Sequence, residues 1–135
     1  GVNLFFELNR KLAQLMQGQI KYKANLEEIH HKQKLDAPSG TAIHLANDLI
    51  DHHSIYQDYK LVKQDNTPDL ILPIKAKRID NVPGTHSVTY ESEVDKISIC
   101  HEAYSRKGFA LGAVIAAEFL TDKKGVFTMK DVLAL

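Results

Sequence analysis

The sequence predicts an α+β fold in which a mixed or antiparallel sheet of about four strands carries helices on one face. Three features predict it: apolar residues at helical spacing near the N-terminus, several segments of alternating polar and apolar residues, and the order of these elements. That order is helix, strand, helix, three strands, helix, so strands and helices do not alternate regularly. One layer of helices leaves the other sheet face open, and we expect this open face to serve oligomerisation.

The first two elements are a helix and a strand. Apolar residues recur at helical spacing over Val2–Met16 and predict an amphipathic helix. Residues 20–26 then alternate between apolar and polar side chains, the pattern of a half-buried strand. The strand runs towards His30 and His31, which point to opposite faces if the chain stays extended.

A turn and a second helix follow. Pro38 biases the residue before it towards an extended conformation, and Ser39 is a suitable N-cap for a helix over residues 41–52. Residues 53–69 are polar and have no regular pattern, so we expect an excursion over the surface.

The next part of the chain predicts three strands. Residues 70–76 alternate, and Pro73 within them lacks a backbone donor, which favours an edge strand or a bulge. Residues 86–90 and 97–101 alternate on either side of a polar connection and predict a hairpin.

A helix and a short closing segment complete the chain. Residues 108–120 are nearly all apolar, which predicts a helix buried on more than one side. Residues 125–133 form the closing segment. His101 shares its strand phase with Ile99, so a histidine of the core is the expected state there.

Composition narrows the class of function. The 17 Lys and Arg residues balance 17 Asp and Glu residues, so the chain shows no basic footprint for nucleic acid or a membrane surface. Its 135 residues and 44% apolar content fit a single globular domain. The one cysteine, Cys100, leaves no internal disulfide and fits a reducing cytoplasm. The chain has no initiator Met, and we expect it to be a fragment of a longer protein.

The most informative segment is 28–42, which combines two adjacent histidines, a lysine and a turn that enters a helix. A helix start presents free N–H groups and partial positive charge, so a carboxylate is a suitable ligand there. The lysine adds a positive charge, and imidazoles with a pKa of about 6.5 exchange protons near neutrality. The segment therefore predicts a site that binds a small carboxylate and gives it a proton. The candidate residues are His30, His31, Lys34, Gly40 and Thr41.

Each of these residue types also has a purely structural interpretation. Histidines that end a strand are often buried, a lone lysine is usually solvated, and Asp36 and Ser39 can simply fix a turn and cap a helix. Glu28 either orients a histidine or lies in solvent. Arg78 and Arg106 are either forks for a carboxylate or ordinary surface arginines. The histidines follow no recognised zinc spacing, so we expect no metal site, and the combined spacing favours the functional interpretation.

The same segment resembles the signature of the bacterial dihydrodipicolinate reductase family. The family pattern is Glu, any residue, His, three residues, Lys, any residue, Asp, any residue, Pro-Ser-Gly-Thr-Ala, and residues 28–42 match every fixed position. Arg78, Gly84 and His86 resemble its Arg…Gly-x-His stretch. Residues 101–113 resemble its later His…Ser-Arg…Phe-Ala-x-Gly-Ala stretch, so the resemblance covers nearly the whole chain.

The resemblance implies a function and a role for each candidate. It implies reduction of 4-hydroxy-tetrahydrodipicolinate to tetrahydrodipicolinate in lysine (diaminopimelate) biosynthesis, with NADH or NADPH as cofactor. It implies that His30 gives or takes a proton and that Lys34 is the second proton donor. His31, Gly40 and Thr41 would bind the carboxylates of this small dicarboxylate substrate. The family assembles as a homotetramer by pairing open sheet faces, and we expect a cytoplasmic enzyme.

One part of the family pattern has no counterpart here. The N-terminal dinucleotide-binding domain is missing, and no G-x-G-x-x-G occurs in the sequence. Residues 1–135 would then be the C-terminal substrate-binding and tetramerisation domain, with no cofactor-binding residue of its own and no activity when isolated. The alternative is a non-catalytic module for oligomerisation or small-anion binding that shares the fold.

Overall fold

The structure, a computed structural model, describes residues 1–63 and 67–135. Nine helices and strands occur in these residues. In chain order they are helix α1 (Val2–Met16), strand β1 (Lys23–His30), helix α2 (Gly40–His52), strands β2 (Asp58–Leu61), β3 (Ile71–Arg78), β4 (Gly84–Glu91) and β5 (Lys96–Ala103), and helices α3 (Lys107–Phe119) and α4 (Met129–Leu133).

The strands form one mixed sheet in the order β2-β3-β1-β4-β5. The pairs β1–β3 and β2–β3 are parallel, whereas β1–β4 and β4–β5 are antiparallel. The connection between the parallel strands β1 and β3 contains helix α2 and strand β2, because a short turn cannot join parallel neighbours. The predicted α+β class, mixed sheet and hairpin are confirmed, with five strands in place of about four.

Helices α1 and α2 pack on the same face of the sheet and enclose the core. Every second residue of β1 is buried, from Ala24 and Leu26 to the polar pair Glu28 and His30. The same alternation in β4 buries residues from Gly84 to Tyr90. The apolar core therefore passes into a polar, buried cluster at the end of β1.

The opposite sheet face is polar near its β4–β5 side. Thr89 and Ser98 share a hydrogen bond of 3.0 Å on this face, and Cys100 beside them is exposed. The sequence predicts an apolar open face, whereas this part of the face carries polar side chains.

The predicted surface excursion over residues 53–69 holds for most of its described residues, which are exposed or half-buried, but the segment has one strand and two buried side chains that were not predicted. Residues 64–66 lie outside the described part. Residues 58–61 form β2, and His53 and Tyr56 are 1% and 7% exposed. The Tyr56 hydroxyl accepts the Ala24 N–H at 2.7 Å and donates to the Ala24 carbonyl at 3.3 Å. These bonds fix the segment against the start of β1.

Two further predictions are corrected. Pro73 is not on an edge strand, because β3 lies between β2 and β1. The β1–β3 pairs begin at Ile74, one residue later, so the missing N–H falls before that ladder. Helix α3 forms as predicted but has no buried residue, because in the described chain it packs mainly on the short α4. None of the described helices has the length and apolar content needed to cross a bilayer.

Candidate active site

A cleft of about 610 Å³ opens where β1 ends, beside the loop that leads to α2. The structure brings all five candidate residues of the sequence into this one cleft. Its polar lining includes His30, His31, Lys34, Asp36, Ser39, Gly40, Thr41, His86, His101 and Arg106.

The start of α2 is built by its predicted cap. The Ser39 hydroxyl accepts the Ala42 N–H at 3.2 Å, and Ser39 itself is extended. Gly40 is the first helical residue, and a Cβ placed on it would meet no heavy atom within 4 Å. Gly40 and Thr41 line the cleft, so a carboxylate bound in the cleft is able to approach the start of α2.

Lys34 lies at the cleft with a counter-ion. Its Nζ is 2.8 Å from both carboxylate oxygens of Asp36, and 21% of its side chain is exposed. The hydrogen bond from Lys34 holds the pKa of Asp36 below its usual value. Asp36 thus keeps a negative charge next to the lysine and limits the positions its ammonium adopts.

His31 contacts Arg106, for which the sequence allows either a carboxylate fork or a surface position. Its Nε2 is 3.1 Å from Arg106 Nη2, and its Nδ1 is 3.1 Å from Gln33 Oε1. A guanidinium only donates, so His31 accepts at Nε2 and carries its proton on Nδ1, which donates to Gln33. Arg106, at the N-terminus of α3, therefore belongs to the cleft.

His30 is nearly buried at the end of β1. Burial lowers its pKa, the Glu28 carboxylate opposes this effect, and the charge of Lys34 adds to it. Its Nδ1 lies 3.8 Å from Glu28 Oε2 and has no hydrogen-bond partner among residues 1–63 and 67–135. A Cβ on Gly84 would come within 3.3 Å of His30 Nε2, so the glycine gives the imidazole its space.

His86 is a member of the site that only the family resemblance had indicated. Its Nε2 shares a hydrogen bond of 3.1 Å with the Ser39 hydroxyl, and its ring lies edge-on to His30 at 5.0 Å. Burial, helped by the neighbouring His30, lowers its pKa to about 4, so it is neutral at pH 7. Its phase in β4, shared with the buried Val88, is the sequence signal that points it into the cluster.

Three of these side chains lie close enough to hold a metal ion. The ligand atoms of Glu28, His30 and His86 are within 4.8 Å of one another. However, Glu28 already accepts hydrogen bonds from Ser39 and from the cationic Arg78. A guanidinium on the same carboxylate opposes a second cation, so the chemistry favours a hydrogen-bonded cluster.

Comparison with known proteins identifies the family. The model described as dihydrodipicolinate reductase, C-terminus, matches residues 1–133. A 4-hydroxy-tetrahydrodipicolinate reductase of Christiangramia forsetii is 60% identical over 134 residues, which cover 99% of this chain and 55% of that protein. The enzyme of the same name from Methanopyrus kandleri is 38% identical over 138 residues, covering 98% of this chain and 49% of that protein.

A solved structure shares the fold. It is a dihydrodipicolinate reductase from Paenisporosarcina sp. TG-14, described as dipicolinate-bound, with a TM-score of 0.65 and 23% identity. The match covers 94% of this chain and 50% of the other. The chain spans about half the length of the curated relatives it matches. Since the family model covers nearly all of it, the chain belongs to the dihydrodipicolinate reductase family and corresponds to the C-terminal part of its members.

Proposed function

We propose that the chain is the substrate-binding and proton-donating domain of an NAD(P)H-dependent reductase. In this reaction of lysine biosynthesis, 4-hydroxy-tetrahydrodipicolinate loses its hydroxyl group as water and takes up one hydride and one proton, which gives tetrahydrodipicolinate. The observation that carries the proposal is the shared cleft, into which His30, Lys34 and the start of α2 all open. The names of the curated relatives support the same reaction.

The cleft offers two places for anionic groups, which suits a dicarboxylate. One carboxylate would accept the N–H groups of Gly40 and Thr41 at the start of α2, with Lys34 supplying a formal positive charge. The other would lie near His31 and Arg106, where the guanidinium supplies the charge. His30, the last residue of β1, lines the same cleft as both places.

The same residues move the proton. Because burial lowers its pKa, His30 is neutral at pH 7 before an anion binds. A dianion beside it favours the protonated imidazole, so substrate binding would load His30 with its proton. Lys34 is the second donor, and the proton goes to the ring carbon next to the one that is reduced.

The cofactor would be NADH or NADPH, which supplies the hydride when bound. This chain contains no G-x-G-x-x-G, so we place the dinucleotide site in the N-terminal half of the relatives, which the chain does not match. The chain's own part is then to bind the dicarboxylate, orient it and supply the proton.

The assembly would be a homotetramer in the cytoplasm. In the described residues the strand face that carries Ser98 and Cys100 is exposed, so it is open to pairing with a second copy of the chain. The mass of the full-length protein in solution, measured by sedimentation, tests this assembly, and a monomer would contradict it.

Calorimetry with pyridine-2,6-dicarboxylate (dipicolinate) tests the proposed function. This planar analogue carries both carboxylates, and the related solved structure is described with it bound. The full-length protein should bind it, and the variants Lys34→Ala and His31→Ala should each lose at least about ten-fold in affinity. Lys32→Ala is the matched control, because Lys32 pairs with Asp80 in solvent and does not line the cleft.

Two results would contradict the assignment. One is the absence of dipicolinate binding by the full-length protein, and the other is unchanged affinity in the Lys34→Ala and His31→Ala variants. Binding of dipicolinate without any oxidation of NADH or NADPH by substrate would instead favour the non-catalytic anion-binding module.

A further inference from the structure

Glu28 is a fully buried carboxylate behind the cleft. It lies in β1 between Ala76 of β3 and His86 of β4, and its exposed fraction is 0%. Its Oε2 accepts the Ser39 N–H at 2.9 Å, and its Oε1 lies 3.3 and 3.4 Å from the two terminal nitrogens of Arg78. A buried carboxylate is tolerated only with such charged and hydrogen-bonding partners.

Arg78 uses every donor inside the protein. Its Nε donates to the Lys34 carbonyl at 3.2 Å, its Nη2 to the Asp36 carbonyl at 2.7 Å and its Nη1 to the Lys77 carbonyl at 2.9 Å. With the two contacts to Glu28, each of the five guanidinium N–H groups has an acceptor. Arg78 is therefore neither a free fork for substrate nor an ordinary surface arginine.

Two side chains, Arg78 and Glu28, anchor the loop between β1 and α2 at three residues. Residues 31–39 contain no helix or strand, so their position depends on such contacts. Arg78 holds the backbone at Lys34 and Asp36, and Glu28 holds it at Ser39. The anchored Lys34 carries the ammonium of the site, and α2 begins directly after the anchored Ser39.

We propose that Glu28 and Arg78 act as a positioning pair for the reaction. They hold residues 34–40 so that the Lys34 ammonium and the first N–H groups of α2 face one substrate. The proposal rests on the proposed function and extends it to two residues outside the described lining of the cleft. A planar guanidinium is needed, because a lysine ammonium cannot reach two carbonyls and a carboxylate in one fixed plane.

The first test is Arg78→Lys in the full-length enzyme, which keeps the charge and removes the fork. We expect kcat/KM to fall about ten- to hundred-fold and the affinity for dipicolinate to fall with it, because the loop loses its geometry. Lys32→Gln is the matched control. It removes the exposed 2.7 Å ion pair with Asp80, which also joins the chain after β1 to the chain after β3, and should change kcat/KM by less than about two-fold.

A double-mutant cycle separates positioning from general loss of stability. If Arg78 acts through the loop that carries Lys34, the Arg78→Lys change should lower kcat/KM by a smaller factor in a Lys34→Ala background than in the parent enzyme, because only the N–H groups of α2 are then left to misplace. A decrease in kcat/KM of the double variant that equals the product of the decreases in the two single variants would overturn the proposal. Activity of Arg78→Lys within about two-fold of the parent enzyme would do the same.

Amide exchange in the unmodified enzyme tests the pair without any substitution. The Ser39 amide should exchange slowly although it precedes the helix, because its acceptor is buried. Exchange there as fast as in an open loop overturns the proposal, even if Arg78→Lys does not fold. Glu28→Gln, which keeps the shape and one acceptor, should speed this exchange. Amide exchange is measured without substrate, so fast exchange at Ser39 contradicts only the positioning role of Glu28 and Arg78. A wrong reductase assignment would show itself separately, as absence of dipicolinate binding.

Discussion

At the scale of residues, the site depends on imidazoles that the fold keeps neutral. Burial lowers the pKa values of His30, His53 and His86, in the last case to about 4. Two of the three adjoin Glu28, whose negative charge Arg78 already balances. His30 and His86 are therefore held as neutral rings beside one compensated carboxylate, and we expect a bound anion to favour their protonated forms.

Stability should fall as the pH decreases through the range of these histidines. An unfolded imidazole takes up its proton near pH 6.5, whereas the folded His86 does so only near pH 4. Between these values the unfolded chain binds more protons, so the free energy of unfolding decreases as the pH falls from about 7 to about 4. For His86 the loss is at most about 3 kcal/mol.

Thermal unfolding of the full-length protein at a series of pH values measures this effect. His86→Gln should make the melting temperature less dependent on pH between about 7 and 5. His44→Gln is the control, because 54% of that side chain is exposed. The same pH dependence in His86→Gln and in the parent protein would show that His86 is not the source.

At the scale of elements, the sequence pattern predicted those helices, caps and turns that depend on residues close together in the chain. Helix α1, the Ser39 cap of α2 and the β4–β5 hairpin depend on neighbours in sequence, and all three are confirmed. Strand β2 and the buried Tyr56 could not be predicted in this way, because the Tyr56 hydroxyl is fixed by the backbone of Ala24, far away in sequence.

The site shows the same division. The spacing of residues 28–42 brought five candidates to one cleft, since a single turn between β1 and α2 carries them. The sequence does not predict the contact between Glu28 and Arg78, because this contact depends on the parallel pairing of β1 with β3. That pairing is a contact between distant segments, and residue spacing does not report it.

The first turn of α2 gives a prediction that separates binding from folding. A methyl group on Gly40 would have no heavy atom of the described residues within 4 Å, so Gly40→Ala should fold and should gain up to about 1 kcal/mol of stability. The methyl group occupies the approach to the helix N–H groups, so the affinity for dipicolinate should fall at least about ten-fold. Gly108→Ala in the first turn of α3 has equal space and lies outside the cleft lining, so its affinity should not change. Unchanged affinity in Gly40→Ala would show that the carboxylate binds elsewhere.

At the scale of the whole molecule, α3 is too apolar for its exposure. Leu111, Val114 and Ile115 share one face of this helix and are 59%, 53% and 39% exposed, a patch of the kind that soluble proteins usually cover. The curated relatives have about as many residues again as this chain supplies. We propose that the additional half of such a protein packs on α3 and closes the side of the cleft where Arg106 lies.

Val114→Asp in the full-length protein tests this packing. If the additional half covers α3, the charge becomes buried and the free energy of unfolding should fall by at least about 2 kcal/mol, with a matching drop in melting temperature. Val94→Asp is the matched control, because Val94 is 89% exposed in the turn between β4 and β5 and should tolerate the charge. Val114→Asp should also weaken NAD(P)H-dependent turnover, because Arg106 begins the same helix and its guanidinium bonds to His31. Equal melting temperatures for Val114→Asp and Val94→Asp would mean that α3 stays exposed and that the additional half packs elsewhere.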